Sequence, residues 1–167
     1  MKFRIKLILG ALIFGLSASM SSVASAREMQ GRFGLGFNRQ FSNWEALNGV
    51  PGISIKYGLT RGVAVDLIAG VGTTSPANAV AATKFFFNVF YETHLNFYAV
   101  FGGGLVTASK RAAFELLGGM GCEFFIPGLE SVGLSFEIGA QMTNLPGRFV
   151  VKTMGASFLD AGVHFYF

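Results

Sequence analysis

The chain has 167 residues, 51% of them hydrophobic and 13% charged, with a formal net charge of +4. One domain is the expectation at that length, and the single cysteine, Cys122, excludes an internal disulfide, so packing and backbone pairing must hold the fold. Three of the 13 basic residues, Lys2, Arg4 and Lys6, stand at the very start, leaving ten against nine acidic residues and no basic patch with interleaved aromatics, so nucleic acid is not an expected partner.

Those three charges precede the apolar run from Leu7 to Leu16 and a small-residue stretch ending in Ala24-Ser25-Ala26. That order is the pattern of a secretory signal peptide. The apolar run is about half the roughly 20 residues needed to span a bilayer as a helix, which argues against a retained anchor. Residues 1–26 are read as a signal peptide cleaved after Ala26, and residues 27–167 as one barrel domain.

Beyond Arg27 the dominant period is two. Phe33, Leu35, Phe37 and Phe41 alternate with Arg32, Gly34, Gly36, Asn38 and Gln40; Ile53, Ile55, Tyr57 and Leu59 with Ser54, Lys56 and Gly58; Val63, Val65, Leu67, Ala69 and Val71 with Asp66 and Gly70. The clearest case is "SVGLSFEIGAQM", Ser131 to Met142, whose even positions from Val132 onward are apolar and whose odd positions are polar or glycine. Such alternation gives a strand one apolar and one polar face. Strands are predicted at 29–41, 50–60, 62–74, 83–94, 96–108, 112–126, 131–143 and 154–167. Eight Gly-rich strands of about ten residues or more fit an all-β fold, an eight-stranded antiparallel transmembrane up-and-down β-barrel.

The connections support that reading. "LTRG", "THLN" and "PGLES" are short, "SNWEALNG", "GTTSPANAVAAT" and "TNLPGRFVVK" are longer, and "ASKRA" alone is a short link on the long side. Bacterial barrels have short periplasmic turns and longer outer loops, which places both ends of the mature chain in the periplasm. A soluble lipocalin-like barrel would share the period with its faces exchanged. The continuous outward band of Phe, Leu and Val disfavours it.

The sequence closes on "FLDAGVHFYF", in which Leu159, Ala161, Val163, Phe165 and Phe167 share one face. This stretch resembles the C-terminal signal by which outer-membrane proteins are recognised by the barrel assembly machinery. The chain from Arg27 resembles the small eight-stranded outer-membrane proteins of the OmpX, OmpW and OmpA-barrel type. The resemblance implies a bacterial outer-membrane location, lipid and lipopolysaccharide as surroundings, and a monomer. Neither a peptidoglycan-binding domain of the OmpA kind nor long raised outer strands of the OmpX kind are expected here.

Inward parity gathers Arg32, Lys56, Asp66, Lys84, Glu92, Glu115, Glu123, Glu137 and Asp160, with Arg111, His94 and His164 beside them. A barrel of eight strands is filled by its own side chains, so these charges are expected to form a paired lumen network. Glu92, His94 and His164 as a metal or proton-handling cluster, and a Ser–His–carboxylate lipid-modifying enzyme, are weaker readings, since no motif fixes either geometry. No catalytic residue, metal or cofactor is assigned. The glycine clusters "FGGGL" and "LLGGMG" lie on adjacent strands and hint at a void, hence at a narrow conduit for small or apolar solutes as the alternative function. Arg39, Lys110, Arg111, Arg148 and Lys152 lie in or near outer connections, where lipopolysaccharide phosphates would attract them. Cys122 shares parity with Met120 and Phe124 and is read as lipid-facing. The function expected is structural or interaction-based.

Overall fold

The computed structural model describes residues 29–38, 52–73, 77–108, 111–144, 147–153 and 160–167. Nine strands occur among them: β1 (Phe33–Asn38), β2 (Gly52–Gly58), β3 (Val63–Gly72), β4 (Asn78–Tyr91), β5 (Leu95–Ala108), β6 (Arg111–Ile126), β7 (Leu129–Thr143), β8 (Val150–Thr153) and β9 (Asp160–Tyr166). Each pairs antiparallel with its sequence neighbour from β1 to β7, and β9 joins β7 on one side and β1 on the other. The sheet therefore closes. β8 and β9 lie along the same edge of β7, at Ala140–Thr143 and Val132–Glu137 respectively, so nine strands make eight staves. Pairing of β1 with β9 joins the two ends of the sheet, which is what a chain in hydrocarbon requires of its backbone.

The two faces differ sharply. On β5, Leu105 is 65% and Phe101 57% exposed, while Val100 and Val106 are wholly buried. Phe33, Leu35, Phe37, Ile53, Ile55, Leu67, Phe85, Phe87, Phe114, Met120 and Phe136 continue the outward apolar band around the barrel. Lys84, Asp66, Glu115 and Ser54 are each fully buried within it. A soluble barrel has these faces reversed, because water charges the full hydrophobic cost of every outward ring.

The interior has two halves. The walls of β3 to β6 contribute an apolar cluster of Ala64, Ile68, Val80, Ala82, Phe86, Tyr98, Val100, Val106 and Leu117. The walls of β6, β7, β9, β1 and β2 contribute most of the polar groups, joined from the apolar side by Asp66, Asn78, Lys84 and Asn96. The expected charge network therefore occupies only part of the lumen. Ile68, Val80 and Val106 share the parity of buried charges on their own or adjoining strands, and they pack against one another instead of against water.

Several boundaries also differ from the sequence expectation, and β4 begins at Asn78, inside the stretch expected as the outer loop "GTTSPANAVAAT". Residues 29–32 form a turn and not the start of a strand: Gly31 has φ of 74°, Arg32 N–H donates to the Met29 carbonyl at 3.1 Å, and Met29 is buried with Phe125 and Tyr166. The final strand is described from 160, and residues 150–153, expected in an outer loop, form β8 against β7. Val150 and Val151 are β-branched and favour that extended state. Between β6 and β7 the link shrinks to Pro127–Gly128, with Gly128 at φ 82°, the combination a type II turn uses.

Candidate functional site

The buried charges begin as a row. Lys56 on β2, Asp66 on β3 and Lys84 on β4 stand directly opposite one another across the two strand pairs, with signs alternating. Both lysines nevertheless reach across the lumen. Lys56 Nζ donates to Glu123 Oε2 at 2.9 Å, and Lys84 Nζ donates to Glu137 at 3.3 Å and 3.2 Å from its two oxygens. The Phe86 ring lies between them, its centroid 4.2 Å from Lys56 Nζ and 5.2 Å from Lys84 Nζ. A buried charge needs this kind of enclosure by a counter-ion and a ring face to offset its lost hydration.

Two tyrosines complete the carboxylates' shells. Tyr98 packs edge-on against Phe86 and donates to Glu137 Oε1 at 3.0 Å. Tyr166 donates to Glu123 Oε1 at 2.5 Å, and the Arg32 guanidinium lies over its ring, 5.1 Å from the centroid, while Nη2 donates to the Glu130 carbonyl. The inward glycines are the sockets for these chains. A Cβ on Gly102 would come within 2.9 Å of Lys84 Cγ, and one on Gly121 within 2.7 Å of Tyr98 Cε2. The glycine clusters therefore make room for large side chains, and the void they hinted at is occupied at these positions.

A second group crosses from β3 to β9. Ser54 Oγ donates to Asp66 Oδ1 at 2.5 Å and stands 2.7 Å from His164 Nε2. Asp66 Oδ2 is 3.9 Å from the same nitrogen, and His164 Nδ1 is 3.9 Å from Glu123 Oε1. Toward the other end of the barrel, Gln141 Nε2 donates to Glu115 Oε2. Ser–His–carboxylate geometry is that of a nucleophile and its base, but Ser54 is fully buried and offers a substrate no approach. Among the described residues no group of three or more His, Cys, Asp and Glu side chains is arranged to hold a metal ion.

The other residues singled out in the sequence fall as follows. Glu92 is exposed in the turn after β4, not inside. The cause is a β-bulge between Asn88 and Phe90, which leaves Val89 unpaired and reverses the inward parity beyond it. His94 is half-buried in the same turn, with its carbonyl accepting from Phe125 N–H, and does not join His164. Arg111 begins β6 exposed and Arg148 is exposed, whereas the register sets Lys152 opposite buried Gln141, on the lumen face. Phe165 and Phe167 point outward with Ala161. Residues 1–28, Arg39, Lys110, Leu159 and the side chain of Asp160 lie outside the described residues. Sequence reasoning passed over Ser54, Tyr98, Gln141 and Tyr166 as partners; their signal was the parity they share with neighbouring buried charges.

No family model matches this chain, and no curated protein does. Among solved structures, it is similar to the N-terminal β-barrel domain of Pseudomonas aeruginosa OprF, with a TM-score of 0.55 and 15% identity over 81% of this chain and 96% of that one. At that identity the likeness concerns the fold. The chain has the closed eight-stave barrel architecture of the OmpA-barrel type.

Proposed function

We propose that the chain is a structural or interaction protein of a bacterial outer membrane: a sealed monomeric barrel that meets lipopolysaccharide phosphates through basic residues at its long-connection end. The observation that carries this reading is the pairing of an outward band of large apolar side chains with an interior occupied by the barrel's own side chains. Lipid satisfies the first, and the second leaves no cargo to name. The export signal expected at residues 1–26 and the outward Phe165 and Phe167 are in keeping with delivery to the assembly machinery. Exposed Arg111 and Arg148 supply donors suited to phosphate oxygens.

The structure of the interior favours a silent barrel over a conduit. Lys56, Lys84, Glu123 and Glu137 are paired across the lumen, and Leu117, Val106 and Val100 pack beside them. No reaction is proposed: among the described residues Ser54 stands within hydrogen-bonding distance of a histidine, and it is enclosed. The test is fractionation followed by conductance. The protein is expected in the outer-membrane fraction, shifting its gel mobility only after boiling, and the purified folded barrel is expected to pass no steady current in a planar bilayer. Soluble recovery without a shift would overturn the membrane reading, and a steady current would replace the sealed barrel with a conduit.

A further inference from the structure

Ser54 has one hydroxyl hydrogen and two partners at hydrogen-bonding distance, Asp66 Oδ1 at 2.5 Å and His164 Nε2 at 2.7 Å. If Ser54 donates to Asp66, Nε2 must bring its own hydrogen to the serine oxygen. A neutral ring then leaves Nδ1 bare, and that lone pair faces the Glu123 carboxylate 3.9 Å away with no donor in reach. Two arrangements remove the conflict. Either Nδ1 also carries a hydrogen, so that an imidazolium lies between Asp66 and Glu123, or Asp66 is protonated and donates to Ser54, Ser54 donates to Nε2, and the neutral ring turns an Nδ1–H toward Glu123.

Both hold the same number of protons. That number is one more than an ionised Asp66 beside a neutral His164. The surrounding charges agree, since the described groups facing the relay are Lys56 of β2, Lys84 of β4, Glu123 of β6 and Glu137 of β7, with Tyr98 of β5 and Tyr166 of β9. With Asp66, with Arg32 over the Tyr166 ring and acting on Glu123, and with Glu130 acting on Arg32, they make three cations against four carboxylates, and one proton balances them. Asp66 and His164 are both enclosed, at 0% and 1% exposure, where an uncompensated charge is most costly.

We infer that Asp66, Ser54 and His164 form a proton-binding site that holds one shared proton in the folded barrel at neutral pH. The unfolded chain holds little of any corresponding proton above about pH 7.5, a unit beyond the pKa of a free histidine and far beyond that of a free aspartate. Folding therefore takes up a proton. As pH rises from 7, the folded form is disfavoured by about tenfold in its equilibrium constant per pH unit, until the relay releases its proton.

Asp66→Asn tests this directly, because an amide donates to Ser54 permanently and has no proton to lose. Unfolding of the full-length mature chain in detergent would be followed by gel mobility in denaturant between pH 7 and 9. A Cys122→Ala background is used because a thiol exposed on unfolding titrates in the same range. The expected result is a roughly tenfold-per-unit fall that Asp66→Asn abolishes. Equal pH dependence in the two proteins would overturn the proposal. The ring-nitrogen NMR signals of His164 in the unsubstituted barrel decide it even if the variant does not fold: a proton on Nδ1 at pH 7 is the expected result, and a neutral ring protonated only at Nε2 would overturn it.

Discussion

Glu137 shows how far a single buried group depends on its neighbours. Lys84 donates to both of its oxygens and Tyr98 to one, all within a region closed to water. Glu137→Gln leaves the Lys84 ammonium buried without its counter-ion, and the barrel is expected to lose about 3–5 kcal/mol of stability. Removing both charges together, as Lys84→Met with Glu137→Leu, is expected to restore most of that loss, since a well-packed apolar pair is often as stable as the ions it replaces. Denaturant unfolding of Lys84→Met, of Glu137→Leu and of the variant with both measures the coupling. A double variant as unstable as the sum of the singles would mean the pair is not interacting. The charges themselves were legible from parity alone. Their partners were not, because each lysine passes over its cross-strand neighbour Asp66 to reach a carboxylate on the far wall, and period-two reasoning sees only adjacent strands.

At the scale of elements, alternation predicts position well until a bulge intervenes. The outward series Phe85, Phe87 runs true along β4, and the bulge at Asn88–Phe90 then places both Val89 and Phe90 outside. Phe90 stacks on Phe97 with ring centroids 4.3 Å apart. This pairing across β4 and β5 gives a local reason for the extra residue, and it is why Glu92 lies where parity did not put it. The same contrast between faces makes a substitution test. Phe101→Arg, in the outward band of β5, is expected to cost about 2–4 kcal/mol if that position lies near the bilayer midplane. Arg111→Ala, at the exposed start of β6, is expected to change stability by less than about 0.5 kcal/mol. Refolding into lipid vesicles with denaturant titration compares them, and equal effects would deny the band its lipid setting. Two of the connections that differ from expectation contain a left-handed glycine, Gly128 at φ 82° and Gly147 at φ 77°, a conformation that lets the chain reverse in few residues.

For the whole molecule, the fold class was legible and the interior was legible only in part. Eight alternating segments determine a closed sheet, but nothing in the order of residues distinguishes a lumen that is polar throughout from one whose β3–β6 wall is lined by Ile68, Val80, Val100 and Val106. That depends on which strands face each other across the axis. Cys122 offers a direct reading of which side is which. It is half-buried on the outward face among Val89, Phe97, Met120, Phe136 and Ile138, and it is the only thiol. A membrane-permeant, lipid-soluble maleimide is expected to label it in intact membranes, while a charged maleimide is expected to react only after unfolding. Rapid labelling by the charged reagent would place this face in water.

The junction of β1 with β9 carries a consequence for how the chain is made. Phe37 pairs with Val163 and Leu35 with Phe165, so the two strands that complete the cylinder are the first and the last to be synthesised. Contacts so distant in sequence are slow to form, and the closing ones have no partner while the chain is still emerging. A chain missing any one stave would be an open sheet with two bare edges, because removing a member of a ring exposes both of its neighbours. Such a cylinder has no dispensable strand, and holding the unfinished chain apart from other unfinished chains is a task that falls outside its own sequence.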